Sequence, residues 1–129
     1  MILYLAVALF VFHYIADYLL QPEWMAMNKS KDNLVLLSHT LRYTMIQAIP
    51  LLGGMVFIGY TWAVVSACMT FILVTHTVTD YFTSRATGKA YVAGKFYGSK
   101  GFFSILGFDQ LCHQLQLVAC LIMIDRWNS

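Results

Sequence analysis

Hydrophobic residues in this chain form four long runs, separated by short polar stretches. The first, Met1–Leu20, is broken only by His13 and Asp17 and stops at Gln21-Pro22-Glu23-Trp24, a helix stop with an interfacial aromatic. A secretory signal is the competing reading, but the run lacks a basic leading segment and a small-residue cleavage site, so a retained span is expected. The second run starts at Leu34 and carries His39, Arg42 and Pro50, with Gly53-Gly54 beyond. Proline and the glycine pair predict a kink or an end there, somewhere between Ile49 and Tyr60. The third run, Trp62–Phe82, carries His76 and Asp80 near its end, and the fourth, Phe102–Ile124, contains Asp109 and His113. Each run is near the ~20 residues that cross a bilayer's hydrocarbon core. The pattern therefore predicts an all-α, polytopic integral membrane protein: one domain over residues 1–129, a four-transmembrane-helix bundle. Its expected spans are 1–20, 34–58, 62–82 and 102–124, with polar loops at 22–33 and 83–101.

Composition strengthens this reading. The 129 residues are 60% hydrophobic and 11% charged, with mean hydropathy +0.67. Soluble domains run about 45–50% apolar and about 25% charged, so a soluble monomer and a disordered chain are both excluded. A net charge of +2 gives no reason to expect a nucleic-acid partner. The distribution of charge is more informative than its sum. Lys29, Lys31, Arg85, Lys89, Lys95 and Lys100 all fall on the side holding the two polar loops, whereas the opposite side has only Arg126. By the positive-inside rule the loops are expected in the cytoplasm and both termini outside it, as in a bacterial inner membrane. Cys68, Cys112 and Cys120 fit no thiolate metal spacing and read as small packing residues.

The polar residues inside the spans carry the candidate chemistry. All four histidines and three of the six acidic residues lie there. An ionisable group at membrane depth costs roughly 2.5–3.5 kcal/mol or more on insertion scales, so these residues must face one another, water or an ion. Three helices each pair an imidazole with a carboxylate four positions apart: His13 with Asp17, His76 with Asp80, and Asp109 with His113. Such partners share a helix face, about 6 Å apart along the axis. The order reverses in the last helix, which runs the opposite way, so the three Asp are expected nearer the loops and the three His one turn deeper. His39 falls at a comparable depth, and Arg42 lies one turn beyond it.

Nitrogen and carboxylate donors together suit a borderline divalent ion, zinc first, with manganese or iron as alternatives. Seven candidate ligands, His13, Asp17, His39, His76, Asp80, Asp109 and His113, exceed a closed structural site. The excess suits either one catalytic ion with supporting carboxylates or two ions. Asp17, Asp80 and Asp109 are candidate general bases or orienters, and Arg42 is a candidate oxyanion holder. Gln21, Gln47 and Gln110 read as helix–helix hydrogen bonders, and the loop lysines as topology and headgroup contacts.

The segment His13-Tyr-Ile-Ala-Asp17-Tyr-Leu-Leu-Gln21, followed by His39, His76-x-x-x-Asp80 and Phe108-Asp109-Gln110-x-x-His113, resembles the DUF3307 family of small multi-span membrane proteins from bacteria and their phages. The resemblance runs over nearly the whole chain. It implies a membrane bundle with these residues as its site and no particular reaction. The single histidine of the second helix leaves any ligand role there to His39. More loosely, the pattern is similar to membrane-bound metal-dependent hydrolases, including phospholipase-like and ceramidase-like groups. The expected function is accordingly an intramembrane metal-dependent hydrolase acting on a lipid or amphiphilic ester, phosphoester or amide. Three alternatives stay open: a divalent-metal or proton transporter, a haem-binding bundle, and a metal-stabilised protein that binds a host membrane protein. A homo-oligomer is compatible with each.

Overall fold

The computed structural model describes residues 1–92 and 100–127, all helical apart from short connections. Lys95, one of the lysines used to orient the chain, lies outside the described residues. Helix α1 (Ile2–Tyr14) passes into a π-helical turn at Ile15–Leu19, and a short α2 (Glu23–Asn28) leads into α3 (Asn33–Ile58). Two further long helices follow, α4 (Trp62–Val92) and α5 (Lys100–Trp127). Four segments are long and apolar enough to cross a membrane: Ile2–Leu19, Asn33–Ile58, Trp62–Ala90 and Lys100–Trp127. They close a ring in which α1 packs on α3, α3 on α4, α4 on α5 and α5 back on α1. The protein is an all-α bundle of four membrane-spanning helices.

Helix α3 runs through Pro50 and the glycine pair and ends at Ile58, inside the expected window between Ile49 and Tyr60, where Gly59, with φ of +93°, is the left-handed cap that glycine adopts freely. Its amide closes onto the Met55 carbonyl at 3.1 Å. Gly54 is needed for another reason: the Tyr60 side chain and Leu5 press against its α-carbon, leaving no room for a methyl group, and the Tyr60 hydroxyl donates to the Leu51 carbonyl at 2.5 Å. The loop expected at 83–101 is corrected. Residues 83–92 continue α4, and Lys100 and Gly101 already belong to α5. Thr83 and Thr87 return their hydroxyls to carbonyls four residues back, satisfying them within the helix. Arg85 then ties the extension to α3, donating to Asn33 Oδ1 at 2.6 Å while its guanidinium lies over the Tyr81 ring.

The bundle divides into two halves. Away from the loops, its centre is filled by Leu5, Leu9, Leu51, Val64, Val65, Cys68, Cys120 and Ile124, all buried. Towards the loops the centre turns polar, with His13, His39, His76, Asp80 and His113 all at most 5% exposed. Large apolar side chains such as Phe57, Val74, Phe82 and Phe108 point outward instead. Such an inverted surface is what a lipid solvent requires.

Candidate metal centre

Three helices and the π turn bring five potential ligands into two overlapping groups that share His76. His39 Nε2 lies 3.1 Å from Asp17 Oδ1, 3.2 Å from Asp80 Oδ2 and 3.2 Å from His76 Nε2. His76 Nε2 lies 3.9 Å from Asp17 and 3.7 Å from Asp80, and His113 Nε2 lies 3.4 Å from Asp80 Oδ1. Two overlapping donor groups result, Asp17–His39–His76 and His76–Asp80–His113. Donors placed ~2.1 Å from a tetrahedral ion stand about 3.4 Å from one another, close to the spacings seen here.

Hydrogen bonding among these groups does not satisfy them. The Nδ1–H of His113 donates to the Asp109 carbonyl at 2.7 Å, so that in the neutral imidazole Nε2 carries the lone pair. That lone pair faces a carboxylate oxygen and has no hydrogen-bond partner. Asp17 Oδ1 and His76 Nδ1 are also buried without one among the described residues. Meanwhile His39 Nε2, which carries at most one proton, is approached by Asp17, Asp80, His76 and Lys29 together. Unpaired buried acceptors are costly, and a cation among them removes the cost. In their ordinary charge states two carboxylates and the single Lys29 ammonium leave the cluster one unit negative, which favours the same occupant.

Lys29 was not expected here. It lies just beyond α2 and reaches inward to Asp80 Oδ2 at 2.7 Å, with Gln21 Oε1 and His39 Nε2 each at 3.4 Å. The side chain is 16% exposed. Burial alone would lower its pKa, but the Asp80 and Asp17 carboxylates outweigh that effect and hold it above the usual lysine value. Nothing in the sequence separates Lys29 from the other loop lysines. The available hint was its neighbour Met25, an apolar residue in a polar connection that proves to be buried and holds α2 against the bundle.

The remaining expected residues fall around the cluster. His13 is not among the converging donors. Tyr43 donates its hydroxyl to His13 Nδ1 at 2.9 Å, and His13 Nε2–H in turn donates to Gln110 Oε1 at 3.0 Å, so neither nitrogen is left for an ion. Gln47 completes this chain by donating to the Tyr43 oxygen. The cause is local: the Leu20 amide bonds back to the Ile15 carbonyl, five residues away, widening the turn that carries Asp17. Asp17 then faces His39 and His76 while His13 faces Tyr43, and the shared face expected from four-residue spacing is lost. Asp109 is likewise a supporting group, accepting from Thr83 Oγ1 at 2.5 Å and from Gln110 Nε2 at 3.0 Å, with its Oδ2 3.6 Å from His113 Nδ1. Arg42 lies on the outer surface of α3, exposed, near His39 but outside the donor cluster. Gln110, expected as a helix–helix hydrogen bonder, and Tyr43, not singled out from the sequence, are the groups that hold His13 one layer below the centre. The Tyr43 ring also stacks on His76, centroids 3.9 Å apart.

No curated protein and no solved structure matches the chain, and the looser likeness to metal-dependent membrane hydrolases gains no support from these comparisons. A family model described as "Protein of unknown function (DUF3307)" matches residues 5–128, which takes in every residue of the donor cluster. The chain belongs to the DUF3307 family.

Proposed function

We propose that the protein binds a divalent metal ion between Asp17, His39, His76, Asp80 and His113 and uses it to hydrolyse an amphiphile drawn from the surrounding bilayer. The observation that carries the reading is the pair of overlapping donor groups, with neighbouring donors 3.1–3.9 Å apart and with Asp17 Oδ1 and His113 Nε2 buried without a hydrogen-bond partner. Three imidazoles and two carboxylates place zinc first, with manganese or iron as alternatives. An ion held by the three imidazoles would leave a carboxylate available for proton transfer. Asp17, whose Oδ1 is otherwise unpartnered, is the group assigned to take the proton of an attacking water. Water adds to the carbonyl or phosphoryl atom, the bond to the leaving oxygen or nitrogen breaks, and the proton passes to that leaving atom. The metal supplies polarisation of the attacked group and a more acidic water.

A groove of about 570 Å³ between the π turn, α2 and α3 supports the choice of an amphiphile, because it runs from His39 to apolar side chains on the outside of the bundle. Transport fits less well, since the half of the bundle away from the loops is filled by a core that, apart from Cys68, Cys120 and Tyr60, is aliphatic and has no histidine or carboxylate among the described residues. By the positive-inside rule the site belongs to the cytoplasmic leaflet of a bacterial inner membrane. The test is elemental analysis of purified wild type beside His76→Ala and His113→Ala, with turnover of amphiphilic ester, amide and phosphoester reporters in nanodiscs. Stoichiometric metal and turnover, both lost in the variants, are expected. Full activity in metal-free protein would overturn the proposal.

A further inference from the structure

The groove between the π turn, α2 and α3 carries one charged group that the donor cluster does not use. Its floor is Ala16 and His39, and its walls include Leu20, Leu41 and Met45, the last three exposed on the outside of the bundle. Arg42 lines it as well. Nine residues into α3, the Arg42 backbone lies about 14 Å along the axis from the first residue of that span. Its side chain is exposed and forms no hydrogen bond or ion pair among the described residues. Bare guanidinium in a lipid-facing position at that depth is unfavourable, and such groups are ordinarily paired or functional. Lys29 and the α4 extension deal with their charges by pairing, to Asp80 and Asn33 respectively, whereas Arg42 has no protein partner. Carboxylates of the site do not supply one either, since Asp17 and Asp80 are both turned towards the histidines.

From this we infer that the groove binds a phosphate-headed membrane lipid, with Arg42 gripping the phosphate and the acyl chain lying along Leu20, Leu41 and Met45. The inference rests on the hydrolase reading for what happens next, but the binding step stands by itself. Guanidinium presents a planar fork of N–H donors that matches two phosphate oxygens, and pairing it in a low-dielectric setting relieves the cost of its position. A lipid so held enters sideways from one leaflet with its head beside His39, so the bond between phosphate and the rest of the lipid is the one brought to the donor cluster. Water adds to phosphorus, the bond to the lipid oxygen breaks, and that oxygen takes the proton the water loses. This makes a phosphoester, rather than a carboxylic ester or amide, the substrate class.

Native mass spectrometry of the as-purified chain in detergent tests the binding step, with dioleoyl phosphatidic acid, dioleoylglycerol, oleic acid and inorganic phosphate as probes. Phosphatidic acid is expected to bind at least tenfold more tightly than dioleoylglycerol, which differs by the phosphate alone. Arg42→Gln should remove that preference, and Met45→Trp should weaken phosphatidic acid binding by filling the groove. An unchanged preference in Arg42→Gln would mean that the side chain snorkels to the aqueous surface and would overturn the inference. Equal binding of oleic acid would overturn the choice of phosphate, and displacement of the lipid by millimolar inorganic phosphate would overturn the choice of a lipid. Metal content and phosphatidic acid hydrolysis, measured on the same preparations, separate the two proposals. Arg42-dependent binding without metal or turnover sinks the hydrolase alone, and metal-dependent turnover indifferent to Arg42→Gln sinks the phosphate grip alone.

Discussion

On the proposed reading Lys29 and a metal ion would be rivals for Asp80, and the size of that rivalry follows from the geometry. An ion ~2 Å from Asp80 Oδ2 lies no more than about 4.7 Å from an ammonium that is itself 2.7 Å from the same oxygen. At an effective dielectric of about 20, a charge of +2 and a charge of +1 at that separation repel by roughly 7 kcal/mol. Withdrawing Lys29 instead breaks a buried ion pair, which costs about 3–5 kcal/mol, and the lower figure suits a side chain that keeps some contact with solvent. Withdrawal is the cheaper course, so the ion binds at a handicap of about 3 kcal/mol, or about a hundredfold in affinity. Lys29→Met should therefore bind zinc about a hundredfold more tightly than wild type, as read by chelator competition in detergent. The metal-free variant should melt earlier, because Asp80 loses its counter-charge. The sign with pH also follows. Since the folded pKa of Lys29 is raised, its contribution is complete below the unfolded value of about 10.4 and is lost only as pH rises through the folded value. The affinity difference should accordingly be the same at pH 7 and pH 9. Equal or weaker metal binding by Lys29→Met would refute the reasoning and make Lys29 a partner of the ion.

Further outcomes are expected. His13→Gln should retain stoichiometric metal, with affinity reduced about 10–100-fold through its supporting role, whereas His113→Gln should lose the ion, both read by elemental analysis. Asp80→Asn should lower stability by about 3–5 kcal/mol by leaving Lys29 buried without its charge partner, and the double variant with Lys29→Met should recover part of that in a detergent thermal melt. Gly54→Ala should cost about 1–3 kcal/mol, since the added methyl displaces the Tyr60 hydroxyl from the Leu51 carbonyl, visible as a lower melting temperature with metal affinity unchanged.

The four spans and the polar end of the bundle were legible in the sequence because both rest on strong, local signals. Long apolar runs dictate membrane helices, and an ionisable residue within one has few tolerable surroundings. His76, Asp80 and His113 meet as their spacing implies. What the sequence concealed lies where geometry departs from the ideal helix or where distant segments meet. Spacing assigns His13 and Asp17 to one face, but the π turn at Ile15–Leu19 parts them, and nothing in Ile-Ala-Asp-Tyr-Leu announces that turn. Lys29 enters the site from a connection where positive charge already has an adequate reason to be. Residues 83–92 read as loop because serine, threonine, glycine and basic residues dominate, yet their hydroxyls and Arg85 sustain the helix.

The apolar plug formed by Leu5, Leu9, Leu51, Val64, Val65 and Ile124 has an electrical consequence. With low-dielectric packing on one side of the donor cluster and the Lys29 connection on the other, most of a transmembrane voltage falls across the plug. An ion bound among these donors would therefore traverse little of the field. Its occupancy would follow the chemical potential of one compartment and stay nearly indifferent to membrane potential, so that the bundle would behave as a one-sided electrode coated with insulator.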